Sequence, residues 1–212
     1  MILQPDQYGG LGTLFLSGNF FSNSLILFKK WFAVARKSEV NDSNASSLAT
    51  SSSDGIPSVR MVLLKSLSDE GFVFYTNFNS KKGNDLNSNP NASMCFYWKS
   101  IRRQIRVSGK ISVVDKKEAD EYFSSRDYGS KISAWASSQS KTMKHRSELL
   151  GKIKEFEKKF SDKNNVPRPS HWSGWRIIPN EIEFWLEIKN RSHERLNYKK
   201  SGDKWIREVL YP

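Results

Sequence analysis

The sequence is poor in cysteine and histidine, with one cysteine and three histidines among 212 residues. A single cysteine forms no intrachain disulfide, which fits a protein kept in a reducing compartment. Cys95 lies in the apolar run "ASMCFYW", where we expect it to act as a small buried hydrophobe. His145, His171 and His193 lack the spacing of metal ligands, so no metal site is predicted.

Long hydrophobic runs are also missing. The apolar stretch "LFLSGNFFSNSLILF" is interrupted by glycine, asparagine and serine, which makes it too broken to cross a bilayer. No basic segment precedes an unbroken apolar core, so we expect no secretory signal. These absences predict a cytoplasmic protein without a membrane partner.

Acidic residues are outnumbered by basic ones, 22 against 34, which gives a net charge of +12. An excess of positive charge attracts phosphate groups, whether on nucleic acid, on lipid or on a small cofactor. Charge alone does not choose among these partners. Nucleic-acid binding is the weaker alternative, because we find no nucleic-acid motif and the aromatic residues fit a protein core.

Local patterns predict a mainly β protein. Residues 1–21 lack a clear period and are interpreted as an N-terminal arm, and residues 22–212 as a single domain. Helices are predicted at 23–37, 80–90, 116–126 and 147–160. Strands are predicted at 58–65, 71–77, 92–98 and 103–114, in "GWRIIP", "EIEFWLEI" and "DKWIREVLYP", and in a short piece near 47–51 within a long loop at 38–55. Because hairpin turns join the strands, we expect an antiparallel β-barrel with flanking helices on its outside.

Basic and hydroxyl side chains gather at the ends of two predicted strands. In "RMVLLK", Arg60 and Lys65 bracket four apolar residues, and they point to opposite faces unless the strand ends before Lys65. In "YTNFNSKKG", Lys81 and Lys82 follow Ser80 near a predicted helix start. A hydroxyl, backbone N–H groups and ammonium groups in this arrangement favour phosphate binding.

A third stretch, "EYFSSRDYGSKISAWASSQSK", brings a phenol, a guanidinium and a hydroxyl together. Tyr122 and Arg126 are four residues apart on a predicted helix and so share a face, and Ser130 follows a glycine-containing turn. These groups suit a phosphate monoester, because a guanidinium binds two of its oxygens at once. Gln139 and Ser140 follow in a polar segment. Taken singly, each of the three stretches also fits an ordinary solvated surface.

The segment "IEFWLEIKNRSHER" begins as a strand and ends in a basic tail. Arg191, His193 and Arg195 occupy alternate positions of that tail, which places them on one face of an extended chain. Like charges repel each other, so we expect an anion opposite this face.

The order and spacing of these stretches resemble the pyridoxamine (pyridoxine) 5′-phosphate oxidase family. The resemblance runs from about Leu25 to Pro212 and rests on "RMVLLK", "FYTNFNSKK", "NPNASMCFYW", "RRQIRVSGK", "YFSSRDYGSKISAWASSQS", "WSGWRIIP" and "IEFWLEIKNRSHER". It implies an FMN-binding split barrel that forms a homodimer with FMN at the interface. The implied reaction oxidises pyridoxamine or pyridoxine 5′-phosphate to pyridoxal 5′-phosphate, with O2 as electron acceptor and H2O2 released. The alternative is a split-barrel flavoprotein that keeps FMN but has a different substrate or has lost its substrate.

The resemblance also implies roles for individual residues. The FMN contacts are assigned to Arg60, Met61, Val62, Leu63, Leu64, Lys65, Tyr75, Thr76, Lys81, Lys82, Gln104, Gln139, Ser140, Trp185 and Arg195. The substrate contacts are assigned to Lys65, Tyr122, Arg126, Ser130, Arg191 and His193. Of these, Arg191 and His193 are expected to face the substrate ring and are the catalytic candidates. The flavin phosphate is expected near Arg60, Lys81 and Lys82.

Three features depart from the family pattern. Ser192 and Glu194 stand where the family has leucine and aspartate. The C-terminal Arg-Leu-x-Pro of the family reads Val-Leu-Tyr-Pro at 209–212, and the arm segment "PDQYGG" offers Tyr8 but no arginine. We expect these changes to affect turnover and closure over the substrate more than FMN binding.

Overall fold

The computed structural model describes residues 19–212. The helices are α1 (Phe20–Ser38), α2 (Lys81–Ser88), α3 (Lys116–Ser124), α4 (Tyr128–Ala136) and α5 (Arg146–Lys159). The strands are β1 (Ala45–Ser51), β2 (Pro57–Leu63), β3 (Ser66–Ser68), β4 (Gly71–Asn77), β5 (Asn91–Trp98), β6 (Arg103–Val113), β7 (Trp172–Leu186), β8 (Glu194–Ser201) and β9 (Lys204–Leu210). Most of the predicted N-terminal arm lies outside the described residues. None of the helices between residues 19 and 212 has the length and apolarity needed to span a membrane.

In the described part of the chain, nine antiparallel strands form one sheet. Its order is β2-β1-β5-β6-β7-β4-β3, with β8 also pairing with β7 and β9 pairing with β8. Along one edge of the 15-residue β7, the first half pairs with β4 and the second half with β8, while β6 runs along the other edge. The sheet therefore divides beyond β7 and curls around a core. The expected antiparallel barrel with flanking helices is confirmed, in the form of a curled half-barrel.

Helix α1 closes the main core. Its cap residue Asn19 accepts a hydrogen bond from the Ser22 N–H at 3.1 Å, so the helix begins three residues before its predicted start. Phe28 is fully buried and meets the rings of Phe72 and Phe96 edge-on, with centroids 5.1 and 5.3 Å apart. Edge-to-face contacts add to the free energy gained by burial. This packing holds β4, whose far end reaches the candidate site.

The short strand predicted near 47–51 is confirmed as β1, which begins two residues earlier, at Ala45. Two other secondary-structure predictions are wrong. Helix α4 forms where a turn was predicted, and Asp127 caps it by accepting a hydrogen bond from the Ser130 N–H at 2.8 Å. "GWRIIP" and "EIEFWLEI" form one strand, because a register shift at Gly109 accommodates Pro179, which has no N–H donor.

One face of the sheet remains exposed in the single chain, and we call it the open face. The register aligns one outward-pointing row across five of its strands, formed by Met61, Ser47, Cys95, Arg106 and Glu183. Met61 is 62% exposed, and Val59 and Tyr97 on the same face are 68% and 54% exposed. Cys95 is half-buried on this face, because alternate residues of β5 point outward. It therefore does not lie in the core, where it was predicted.

Gly83 in α2 is required by a close approach of two backbone segments. A Cβ atom there would lie 2.0 Å from the Phe78 carbonyl oxygen, far inside van der Waals contact. We expect Gly83→Ala to displace the start of α2 and to lower the free energy of unfolding by about 1–3 kcal/mol. Thermal unfolding should show this as a fall in Tm of roughly 2–12 °C for a chain of this size.

Gly151→Ala is the matched control for that variant. Gly151 lies inside α5, where an added Cβ meets nothing within 4 Å. Because alanine has the higher helix propensity, this variant should gain up to about 1 kcal/mol of stability. A fall in Tm of similar size in both variants would contradict the steric explanation.

Candidate functional site

A cleft of about 800 Å³ opens where β4, α3, α4 and the start of β7 meet. It brings together eight of the residues assigned from sequence, namely Leu63, Lys65, Tyr75, Thr76, Tyr122, Arg126, Ser130 and Gln139. The cleft is thus built mainly from strand ends and helix starts, where side chains and backbone N–H groups converge.

Lys82 places a buried positive charge beside this cleft. Its Nζ donates hydrogen bonds to Thr76 Oγ1 at 3.0 Å, to Ser80 Oγ at 3.2 Å and to Gln139 Oε1 at 2.9 Å. All three acceptors are neutral, so none of them compensates the charge of the ammonium group. Arg60 lies close enough to act on Lys82 as a second positive charge. Two cations with hydroxyl and amide neighbours fit the phosphate group of FMN.

The titration of Lys82 predicts how FMN binding depends on pH. Burial and the neighbouring Arg60 lower the pKa of Lys82 to about 8, and a bound phosphate would raise that pKa again. FMN affinity should therefore be constant below the pKa of free Lys82 and fall above it, by up to about tenfold per pH unit. Quenching of FMN fluorescence between about pH 7 and 9 measures this, since the phosphate stays doubly charged in that range.

Lys82→Arg separates this titration from other effects of pH. A guanidinium stays charged over the whole range, so the variant should show a flat pH dependence even if its affinity is lower. An affinity that falls equally steeply in both proteins would assign the pH dependence to another group.

Contacts within the chain fix the Arg60 guanidinium. Nη1 donates to Thr50 Oγ1 and Nη2 to Ser58 Oγ, both at 2.7 Å. Asp85 lies 3.7 Å from Nη2 and also accepts hydrogen bonds from Thr50 Oγ1 at 2.8 Å and Lys81 Nζ at 3.0 Å. Lys81 is thus paired with a carboxylate of its own helix.

Arg126 is the cation of the cleft that most clearly requires an anion. Its Nη1 is buried without a hydrogen-bond partner among the described residues, and burial lowers the pKa of the guanidinium. The group lies over Trp172, 4.8 Å from the ring centroid, and Tyr75 stacks against both Trp172 and Tyr122. A buried donor without a partner costs free energy. The oxygens of a phosphate monoester would satisfy it.

Strand and helix ends bring the other assigned substrate ligands to Arg126. β2 ends two residues before Lys65, so Lys65 leaves the strand and lines the cleft. Tyr122 and Arg126 were predicted to share a helix face. They do not, because α3 ends before Arg126. The turn between α3 and α4 nevertheless places both side chains in the cleft, and Ser130 joins them from the first turn of α4.

Other residues assigned to FMN lie on or next to β2, or after α4, but do not line the cleft. Met61 points to the open face, where it is 62% exposed, and Leu64 is buried in the core. Val62 packs against that core from the other side of β2. Ser140 is exposed and has a positive φ of 69° in the turn after α4.

A second group of assigned residues lies at the far end of β7. The register pairs Gln104 with Trp185 and Trp185 with Arg195 on the open face. His193 packs against Trp185 with ring centroids 4.6 Å apart, and its Nδ1 accepts a hydrogen bond from the Ile188 N–H at 3.2 Å. A neutral imidazole whose Nδ1 accepts carries its proton on Nε2 and can donate from there.

The basic tail is not one extended face, so that prediction is wrong. Residues 189–191 form a 3₁₀ turn in which Asn190 and Arg191 have φ values of 57° and 59°, and Arg191 is exposed. Arg195 does face an anion, but this anion is the Glu183 carboxylate of the same chain. Its Oε1 lies 2.9 Å from Arg195 Nε and its Oε2 3.1 Å from Nη2.

The two groups are far apart within one chain. Trp172 at the cleft and Trp185 in the second group stand at opposite ends of β7. A strand rises about 3.3 Å per residue, so roughly 40 Å of strand separates them. One chain therefore does not bring all the assigned residues to one ligand.

Sequence reasoning missed several residues of the cleft. Asn77, Ser133, Ser137 and Trp172 line it, and none was assigned a role. The one available signal was the motif "WSGW", which carries Trp172. Ser133 belongs to α4, which was not predicted as a helix, and Ser137 directly follows that helix.

Comparison with known proteins identifies the family. The profile described as pyridoxamine 5′-phosphate oxidase matches residues 34–160, and the profile described as pyridoxine 5′-phosphate oxidase C-terminal dimerisation region matches residues 172–212. A pyridoxine/pyridoxamine 5′-phosphate oxidase of Pelagibacter ubique is 56% identical over 187 residues, which cover 88% of this chain and 90% of the relative. Another, of Sphingopyxis alaskensis, is 48% identical over 188 residues, which cover 89% of this chain and 87% of the relative.

Solved structures share the architecture. PhzG from Burkholderia lata, in complex with tetrahydrophenazine-1-carboxylic acid, has a TM-score of 0.84 at 30% identity and covers 95% of this chain and 100% of its own. A pyridoxamine 5′-phosphate oxidase-related FMN-binding protein of Nostoc punctiforme, at 16% identity and a TM-score of 0.69, covers 87% of this chain and 97% of its own. The curled sheet and its cation-lined cleft define a split-barrel protein. Within that class, the matching profiles and the sequence identities indicate one family. The chain belongs to the pyridoxamine 5′-phosphate oxidase family.

Proposed function

We propose that this chain oxidises pyridoxamine 5′-phosphate and pyridoxine 5′-phosphate to pyridoxal 5′-phosphate, with FMN as cofactor, O2 as electron acceptor and H2O2 as a product. Oxidation of the amine also consumes water and releases ammonia. Relatives 56% and 48% identical to the chain are named for this oxidase activity. The single observation that carries the substrate class is the buried Nη1 of Arg126, which has no partner within residues 19–212 and lies in a cleft shared with Lys65, Tyr122 and Ser130. Such a set of donors selects a phosphorylated small molecule.

The residues around Lys82 would hold the phosphate end of FMN. Lys82 and Arg60 supply positive charge, and Thr76 and Gln139 supply polar contacts that already meet the Lys82 Nζ. The bound flavin supplies the redox chemistry, taking two electrons from the substrate and passing them to O2.

The residues around Arg126 would hold the substrate by its phosphate, away from the carbon that reacts. A clamp on a remote group fixes the orientation of the whole molecule and removes much of the entropic barrier to the reaction. Lys65, Tyr122 and Ser130 complete this clamp with an ammonium group and two hydroxyl groups. The aromatic wall of Tyr75, Tyr122 and Trp172 excludes water from one side of the cleft.

Arg191 and His193 would act at the reacting end of the substrate. His193 can hold a proton at Nε2, because its Nδ1 accepts the hydrogen bond from the Ile188 N–H. Arg191 is exposed in the single chain, whereas Arg195 is held by the Glu183 carboxylate. We expect Arg191→Ala to lower kcat/KM with FMN retained, by about 10-fold or more if a charged hydrogen bond to the substrate is lost. Steady-state kinetics with parallel FMN titration would show this, and loss of FMN from the variant would contradict the assignment.

The enzyme is proposed to be a homodimer with each FMN held between the two chains. Three observations support this arrangement. The match to a dimerisation region covers β7 to β9, the open face exposes apolar side chains, and the two groups of assigned residues stand roughly 40 Å of strand apart. A second copy that brings its Trp185 end to the first copy's cleft would complete each site.

Turnover of pyridoxamine 5′-phosphate by the FMN-loaded protein tests the proposal. We expect formation of the aldehyde product and of peroxide in equal amounts, measured by absorbance and by a coupled peroxidase assay. Pyridoxamine without its phosphate is the control and should react poorly, because it leaves Arg126 without an anion. FMN binding without turnover of either phosphorylated substrate would favour the alternative of a split-barrel flavoprotein with a different or lost substrate.

A further inference from the structure

Glu183 is a buried carboxylate on a sheet face that is otherwise largely exposed. It lies on β7, and the register places it between Arg106 of β6 and Asn197 of β8. Its side chain is 5% exposed. Burying a carboxylate is costly unless the group is paired and hydrogen-bonded, so the partners of Glu183 indicate its role.

Two arginines use both oxygens of Glu183. Oε1 accepts a hydrogen bond from Arg195 Nε at 2.9 Å, and Oε2 accepts one from Arg195 Nη2 at 3.1 Å and another from Arg106. Burial alone would raise the pKa of Glu183, but the hydrogen bonds from Arg195 and Arg106 outweigh burial and hold the pKa below its ordinary value. The carboxylate is therefore ionised, and the three side chains together keep one surplus positive charge.

Arg195 is fixed on a second side as well. Its Nη1 donates a hydrogen bond to the Tyr211 carbonyl oxygen at 2.9 Å. All three nitrogens of the guanidinium thus have a partner within the chain, and only the remaining N–H groups are left for a ligand. Trp185 is the register partner of Arg195 on β7.

We propose that Glu183 is a positioning residue of the flavin site, which holds the Arg195 guanidinium in the one orientation that presents its remaining N–H groups to FMN. The inference rests on the proposed function, because it takes FMN as the cofactor and Arg195 as one of the FMN contacts that the family resemblance implies. A guanidinium that is already oriented loses less side-chain freedom on binding than a free one. Glu183 itself touches neither FMN nor substrate and acts only through Arg195.

A double-mutant cycle in FMN affinity tests this role. FMN is titrated by fluorescence quenching into wild type, Glu183→Gln, Arg195→Ala and the double variant. We expect Glu183→Gln to raise the Kd for FMN about tenfold in the wild-type background. In the Arg195→Ala background the same change should leave the Kd unchanged. A carboxylate needed only for folding would raise the Kd equally in both backgrounds, and that result would overturn the proposal.

Glu181→Gln is the matched control. Glu181 lies two residues away on the same face of β7 and accepts a hydrogen bond from Asn197 Nδ2 at 2.8 Å, so this variant should bind FMN like the wild type. Light scattering establishes that each variant is still a dimer. If Glu183→Gln fails to fold, Glu183→Asp takes its place, because it keeps the charge, shortens the side chain and should also raise the Kd.

The outcome for Arg195→Ala alone distinguishes this inference from the proposed function. An unchanged Kd in that variant would remove Arg195 from the flavin site and overturn the role of Glu183. The proposed function would still be decided separately, by turnover of pyridoxamine 5′-phosphate in the wild-type protein.

Discussion

Replacing Arg126 by alanine should raise the KM for pyridoxamine 5′-phosphate about 10- to 150-fold while FMN stays bound. The buried Nη1 of Arg126 has no partner among the described residues, so a substrate phosphate would be its acceptor. Loss of a charge-assisted hydrogen bond costs about 1.5–3 kcal/mol, which corresponds to that range of affinity. Steady-state kinetics give the KM, and flavin absorbance of the purified variant reports the bound FMN.

Lys117→Ala is the control for the loss of one positive charge. Lys117 lies on α3, its side chain is 86% exposed, and its ion pair is with the exposed Glu121 at 3.8 Å. That variant should keep the wild-type KM. If Arg126→Ala loses FMN and keeps its KM, then the phosphate sites of cofactor and substrate have been assigned the wrong way round.

A heterodimer of two impaired chains should regain about half of the wild-type activity, because one of its two sites is intact. One chain carries Arg126→Ala in the cleft, and the other carries Arg191→Ala at the far end of β7. If each site combines the cleft of one chain with the far end of its partner, both substitutions fall in the same site. Co-expression with two different affinity tags isolates the heterodimer, and its kcat/KM is compared with those of the two mutant homodimers.

The same substitutions placed in one chain give the opposite expectation. A doubly substituted chain paired with a wild-type chain damages one half of each site, so its activity should stay low. Sites built within single chains would reverse the two results, with about half activity for the wild-type pairing and low activity for the pairing of single variants. The comparison therefore decides whether the site is shared, whatever the strength of each substitution.

Elements with a regular pattern of large side chains could be predicted from sequence. β5 and α5 were placed within one residue at each end, because "ASMCFYW" alternates and "SELLGKIKEFEKKF" repeats at helical spacing. α4 was missed and β1 was predicted only in part, because small residues such as alanine and serine dominate both and give little periodic signal. Their structure depends on tertiary partners, such as β2 and β5 on either side of β1.

The residues proposed to bind phosphate in the cleft could be predicted because each lies in a short motif. What those motifs could not give was the geometry between distant segments. Lys82 reaches Gln139 across 57 positions of the sequence, and Arg195 meets Glu183 only because β8 returns beside β7 in a particular register. The prediction of an extended tail was wrong because Asn190 and Arg191 adopt positive φ angles. No pattern in the sequence indicated these backbone angles.

The length of β7 has a consequence for how the protein behaves on dilution. If its two ends serve different sites, an isolated chain has no complete site, and catalysis requires association. Turnover per chain should then fall as the total concentration drops below the dissociation constant of the dimer, as it does for any activity tied to an obligate assembly. The concentration of the protein would thus set the fraction of chains that are in active dimers. Below the dissociation constant, the total rate would therefore rise more than in proportion to the enzyme concentration.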